Sequence, residues 1–112
     1  MMKSAQVVKA LSALAQSTRL AMYRLLVVSG PDGMAAGQVA EKLKVSPATL
    51  SFHFKILSHA ALIQSKQDGR FIYYAANFTV MNDMLAYLTE NCCGGNPEAC
   101  KPNTRGLQTN NR

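Results

Sequence analysis

The stretch VSPATLSFHFKILSHAALIQSKQDGRFIYYAA, residues 45–76, decides the fold. Its first half has a helical period: Leu50, Phe54 and Leu57 recur at i, i+4 and i+7, and Ala61 extends the row. Ser46 is placed as an N-cap and Pro47 suits a first helical position, so a helix is expected over 47–60. After Leu62 the period shortens. The runs LIQSKQ and RFIYYAA flank Asp68-Gly69, a pair typical of a two-residue hairpin turn. Ile63, Phe71 and Tyr73 are expected on one face of that hairpin, and Ile72 and Tyr74 on the other.

Upstream, AAGQVAEKLKV (35–45) reads as a short helix with Val39, Ala40 and Leu43 inward. Before it, TRLAMYRLLVVSG carries Leu20, Tyr23 and Val27, widened by Met22, Leu25 and Leu26. Ser17 and Thr18 offer N-cap oxygens for it, and Ser29-Gly30-Pro31 stops it. Residues 4–15 repeat apolar side chains at Val7, Leu11 and Leu14, with Val8 and Ala15 beside them. Downstream, a last helix over about 78–91 has Met81, Met84, Leu85 and Leu88 as its stripe, and Gly94-Gly95 is expected to end it. The order is helix, helix, helix–turn–helix, hairpin, helix. The expected fold is mainly α with a small β-hairpin, a winged helix–turn–helix.

A helix–turn–helix sets its second helix in the major groove of DNA. With Leu50, Phe54 and Leu57 inward, the outer face of 47–60 presents Ala48, Ser51, Phe52 and Lys55, with Ser46 and Thr49 at its N-terminal end. Ser and Thr reach phosphates and base edges, and Lys reaches phosphate or guanine. Phe52 can touch a thymine methyl; otherwise it packs under the wing. Lys66 and Arg70 flank the hairpin turn, where a wing meets the DNA backbone or minor groove, although cations beside a turn are also ordinary solvated residues. His53 adjoins the inward positions and reads as a structural histidine, and His59 is given no role.

Charge agrees. The 112 residues carry 12 Lys and Arg against 6 Asp and Glu, a net +6, which favours a polyanion. Lys42, Lys44, Lys55, Lys66 and Arg70 fall between residues 42 and 70, opposed by Asp68 alone. No apolar run reaches the ~18 residues of a membrane span, and the N-terminus lacks the continuous apolar core of a signal peptide. A cytoplasmic protein with no membrane partner is expected, and in that compartment thiols stay reduced.

All 3 cysteines lie in NCCGGNPEAC, residues 91–100. An odd number, clustered, suits metal or redox chemistry better than a disulfide framework. An enzyme would need an activated thiolate beside an anion-binding loop, and neither is visible in the sequence.

The motifs together resemble the ArsR/SmtB family of metalloregulatory repressors. ALAQSTRLAMYRLL (13–26) is similar to the family's Ala-Leu-Ala-x-x-Thr-Arg-Leu segment. VSPATLSFHFKILSHAALI (45–63) is similar to its recognition helix, and SKQDGRFIYYAA (65–76) to its wing. The resemblance covers roughly residues 8–90. It implies a homodimer, held by the first and last helices, that represses an operon and releases operator DNA when an ion binds. Residues 1–91 would then form the DNA-binding and dimerisation domain, and 92–112 an ion-binding segment with a mobile tail.

The family's cysteine motif at the first helix of the helix–turn–helix is absent, since those positions fall at MAAGQVA. Its zinc site on the last helix is also missing: NFTVMNDMLAYLTE offers Asp83 and Glu90 but no histidine. The terminal cysteines resemble those of a subgroup of arsenic-responsive repressors, which implies Cys92, Cys93 and Cys100 as ligands. Chemistry fits this. Structural zinc wants four ligands in a tetrahedron, whereas As(III) and Sb(III) are soft, prefer sulfur and take three ligands in a pyramid. The expected inducer is As(III) or Sb(III), with no catalytic cofactor. A thiol redox switch and another soft metal, such as cadmium or lead, are the alternatives.

Overall fold

The computed structural model describes residues 2–96 and residue 98. Among these residues, five α-helices and three short strands follow in the order α1 (Ser4–Leu14), α2 (Ser17–Ser29), β1 (Met34–Ala35), α3 (Ala36–Leu43), α4 (Pro47–His59), β2 (Ile63–Asp68), β3 (Phe71–Ala76) and α5 (Phe78–Leu88). The helix–turn–helix is α3–α4 and the wing is β2–β3, so the architecture is a winged helix–turn–helix.

Local chemistry sets the helix ends. At α4, Ser46 Oγ accepts the Thr49 amide at 3.2 Å and Pro47 takes the first turn, as expected. At α2 the cap is Gln16, not Ser17 or Thr18: its side-chain oxygen accepts the Arg19 amide at 2.8 Å, and Ser17 is already helical. Asn77 caps α5 through the Val80 amide at 3.2 Å.

Met22, Leu26, Val39, Leu50, Leu57 and Leu62 form the fully buried centre. Each buried large aliphatic side chain contributes about 1.5–3 kcal/mol. On α4 the buried row is Leu50, Phe54 and Leu57, and the cap residue Ala60 continues it. Ala61, expected to extend it, is exposed in a left-handed conformation (φ 61°), because the chain leaves the helix there to enter β2.

The sheet has a strand more than the expected hairpin. The order is β1-β3-β2, all antiparallel, with Met34 opposite Tyr74 and Ala35 opposite Tyr73. Gly33 makes this pairing possible. It sits at φ +73°, and a Cβ there would lie 2.1 Å from the Tyr74 carbonyl oxygen.

The turn also differs. Asp68 pairs with Phe71, so the two-residue loop is Gly69-Arg70, one residue later than expected. Gly69 takes φ +64° and Arg70 stays out of the positive-φ region, the pattern of a turn with Gly at its first central position. Ile63 pairs with Ala76, both buried. Residues directly opposite share a face, so Ile63 lies with Ile72 and Tyr74, and not with Phe71 and Tyr73 as expected.

Helix α5 stops at Leu88, earlier than about residue 91. Thr89 Oγ1 donates to the Leu85 carbonyl at 2.8 Å, and Asn91 turns the chain at φ 56°. Gly94 and Gly95 therefore lie in the following turn and do not end the helix.

Candidate functional site

The outer face of α4 carries the expected groups. Ser46, Ala48, Thr49, Ser51, Phe52 and Lys55 are all exposed. Ser46 Oγ donates to Thr49 Oγ1 at 2.9 Å, which holds both hydroxyls together at the helix start. Phe52 is 61% exposed, so it does not pack under the wing. Its ring meets that of His53 edge-on, with centroids 5.5 Å apart and planes at 62°.

The wing is fastened to the back of the same helix. Tyr74 stacks on Phe54 with centroids 3.9 Å apart and planes at 7°. Ile72 and Tyr74 border a cavity with Pro47, Leu50, Ser51 and Phe54. Lys66 and Arg70 are exposed, Lys66 in β2 and Arg70 in the turn itself. The stack thus joins α4 and the wing, with cations at the wing and hydroxyls at the helix start.

His53 is buried, as the sequence suggests. Its Nδ1 lies 3.3 Å from Nη1 of Arg19. Burial first, and the Arg19 charge second, hold it below the ordinary histidine value, so at neutral pH the ring is uncharged.

The thiol segment follows α5. Cys92 and Cys93 are exposed, and Cys92 is a free thiol. Cys93 is disulfide-bonded. The pair occupies a tight turn, Cys92–Gly95, in which Cys93 and Gly94 both take left-handed backbone angles (φ 55° and 65°). Cys100 lies outside the described residues. Among the described residues, no three His, Cys, Asp or Glu side chains form a metal-binding group.

A helix-turn-helix domain model matches residues 14–65, which span α2 to the start of the wing. The chain is 37% identical over 76 residues to the transcriptional repressor SdpR of Bacillus subtilis strain 168, covering 68% of this chain and 81% of SdpR. Its fold superposes on HlyU from Vibrio cholerae N16961 with a TM-score of 0.65 at 26% identity, covering 83% of this chain and 99% of HlyU. It also superposes on a possible transcriptional regulator for arsenical resistance, with a TM-score of 0.63 at 28% identity over 71% of this chain and 80% of that one.

The chain belongs to the ArsR family of transcriptional regulators. Membership makes α3–α4 its DNA-binding helix–turn–helix. Among the described residues, no helix is long and apolar enough to cross a membrane.

Sequence reasoning did not single out Arg19 of this ArsR-family chain. Its Nε donates to the Ala13 carbonyl at 2.5 Å and its Nη1 reaches His53. The available signal was a charge placed among the apolar residues that open α2.

Proposed function

We propose that the chain is an arsenic(III)- or antimony(III)-responsive repressor. It binds operator DNA as a homodimer and releases it when the ion binds Cys92, Cys93 and Cys100. The observation that carries this reading is the position of the thiols: all 3 fall within residues 91–100, just past the end of α5. The likeness to a possible regulator for arsenical resistance supports it.

The dimer reading rests on uncovered apolar side chains. Val8 (59% exposed) and Leu11 (42%) stand out from α1, and Leu85 (50%) and Leu88 (54%) from α5. Such a surface on a small chain marks an interface. A two-fold dimer through the first and last helices would match an inverted-repeat operator and act in the cytoplasm.

Release follows by linkage. The ion must favour the DNA-free dimer over the DNA-bound one. Capture of As(III) by three thiolates would tie the three cysteines together and pull on the end of α5. The recognition helices would then no longer fit the half-site spacing. Because Cys92 and Cys93 lie beyond α5, in a turn, their side chains are not held at the ~100° offset of helical neighbours. The reading concerns the reduced chain.

X-ray absorption on the reduced, As(III)-loaded protein tests the site by counting sulfur neighbours. Three sulfurs per arsenic are expected. A count of two, or oxygen in the first shell, would sink the three-thiolate site.

A thiol redox trigger is the second reading, favoured by the disulfide at Cys93. It keeps the DNA-binding half and predicts that peroxide releases DNA in metal-free buffer. Two thiols would then yield two protons and two electrons to the peroxide, giving a disulfide and water.

A further inference from the structure

We propose that Arg19 and His53 are positioning residues for operator reading: Arg19 latches the recognition helix to the end of α1 through His53, and the latch holds only while His53 is uncharged. The inference rests on the DNA-binding role of α4.

One side chain joins three elements. The Arg19 amide is tied to Gln16 at the start of α2, its Nε to the Ala13 carbonyl at the end of α1, and its Nη1 to His53 in the middle of α4. Its guanidinium is partly buried, and its partners are a carbonyl and an imidazole rather than a carboxylate. Arginine only donates and stays charged. Nδ1 of His53 must therefore offer its lone pair. A proton on Nδ1 would set two donors and two positive charges 3.3 Å apart, and the contact would break.

The surroundings do not soften that repulsion. From α2 the group facing His53 is Arg19. Lys9 of α1 and His59 of α4 border a cavity of about 370 Å³ on which Arg19 also opens. Besides burial, the charge that acts on the ring is that of Arg19. An added proton would therefore face the Arg19 charge at 3.3 Å.

The link to recognition is Phe52. Its exposed ring rests edge-on against the His53 ring. When His53 leaves Arg19, Phe52 loses its backing. The loss then falls on base reading, while phosphate attraction by Lys66 and Arg70 is untouched.

The test uses the full-length reduced protein and two duplexes, one selected from a random-sequence pool and one scrambled. Fluorescence anisotropy gives the ratio of the two affinities from about pH 8 to about pH 5.5. The wild-type ratio should fall about tenfold on acidification, the size of one lost base contact. His53→Gln keeps an acceptor for Arg19 and cannot be protonated, so its ratio should stay within about twofold across the range. His53→Ala and Arg19→Ala, checked as folded by circular dichroism, should show a low ratio at every pH.

Titration of the His53 ring by NMR in the wild type needs no variant, and its protonation should coincide with the fall in ratio. A wild-type pH profile in His53→Gln, an undiminished ratio in folded His53→Ala, or a fall at a pH where His53 does not titrate would each overturn the latch. Failure of Phe52→Ala to change the ratio would instead count against base reading by Phe52.

Discussion

Tyr74 of the wing lies ring on ring with Phe54 of the recognition helix, at 3.9 Å and 7° from parallel. The contact makes one side chain both core and hinge plate: Phe54 is buried, while Tyr74 sits at the centre of β3. Phe54→Ala should therefore destabilise the chain by about 3–5 kcal/mol and free the wing at once. Urea unfolding followed by circular dichroism measures this. A loss under about 1 kcal/mol would show that the stack does not anchor the wing.

Phe52 should behave in the opposite way. At 61% exposure it adds little to the core, so Phe52→Ala should leave stability within about 0.5 kcal/mol. It should weaken operator binding by about tenfold if the ring touches a thymine methyl. Replacing thymine by deoxyuracil along the duplex removes that methyl. One position should weaken the wild type and leave Phe52→Ala indifferent.

The wing cations should act on phosphate alone. Lys66→Ala or Arg70→Ala should lower affinity for selected and scrambled duplexes alike and reduce the salt slope by about one. Anisotropy across a salt series checks this, and a change confined to the selected duplex would make the cation a base reader.

Gly33→Ala should disrupt β1–β3 pairing. The position demands a positive φ, and the new methyl would meet the Tyr74 carbonyl at 2.1 Å. A loss of more than about 1 kcal/mol is expected, with weaker amide-exchange protection at Met34 and Ala35. A neutral substitution would show that β1 is dispensable.

The recognition helix was legible because its features are local. Ser46 and Pro47 mark its start, and Leu50, Phe54 and Leu57 repeat at helical spacing. The outer residues follow from those inner ones by subtraction. The wing was legible as a hairpin but not in detail. Asp68-Gly69 suits a turn as a pair, yet Gly69 takes the first central position and passes the second to Arg70. Strand β1 has two residues, too few for any period to show.

Contacts distant in sequence stayed hidden. Arg19 meets His53 34 positions away, and no spacing rule joins them. The end of α5 was misplaced because glycine is the strongest visible stop, whereas Thr89 and Asn91 act first. For the thiols, the sequence names the donors and their chemistry. Cys100 lies outside the described residues, so the three-thiolate geometry rests on the donor set.

Titration of As(III) into the reduced protein bound to a fluorescent selected duplex tests the account most directly. Wild-type protein should release the duplex as the ion is added. Cys93→Ser, with equal affinity for the duplex beforehand, should hold it until far more ion is present, by about tenfold or more for a lost ligand. Release of Cys93→Ser at the wild-type As(III) concentration would contradict the three-thiolate trigger.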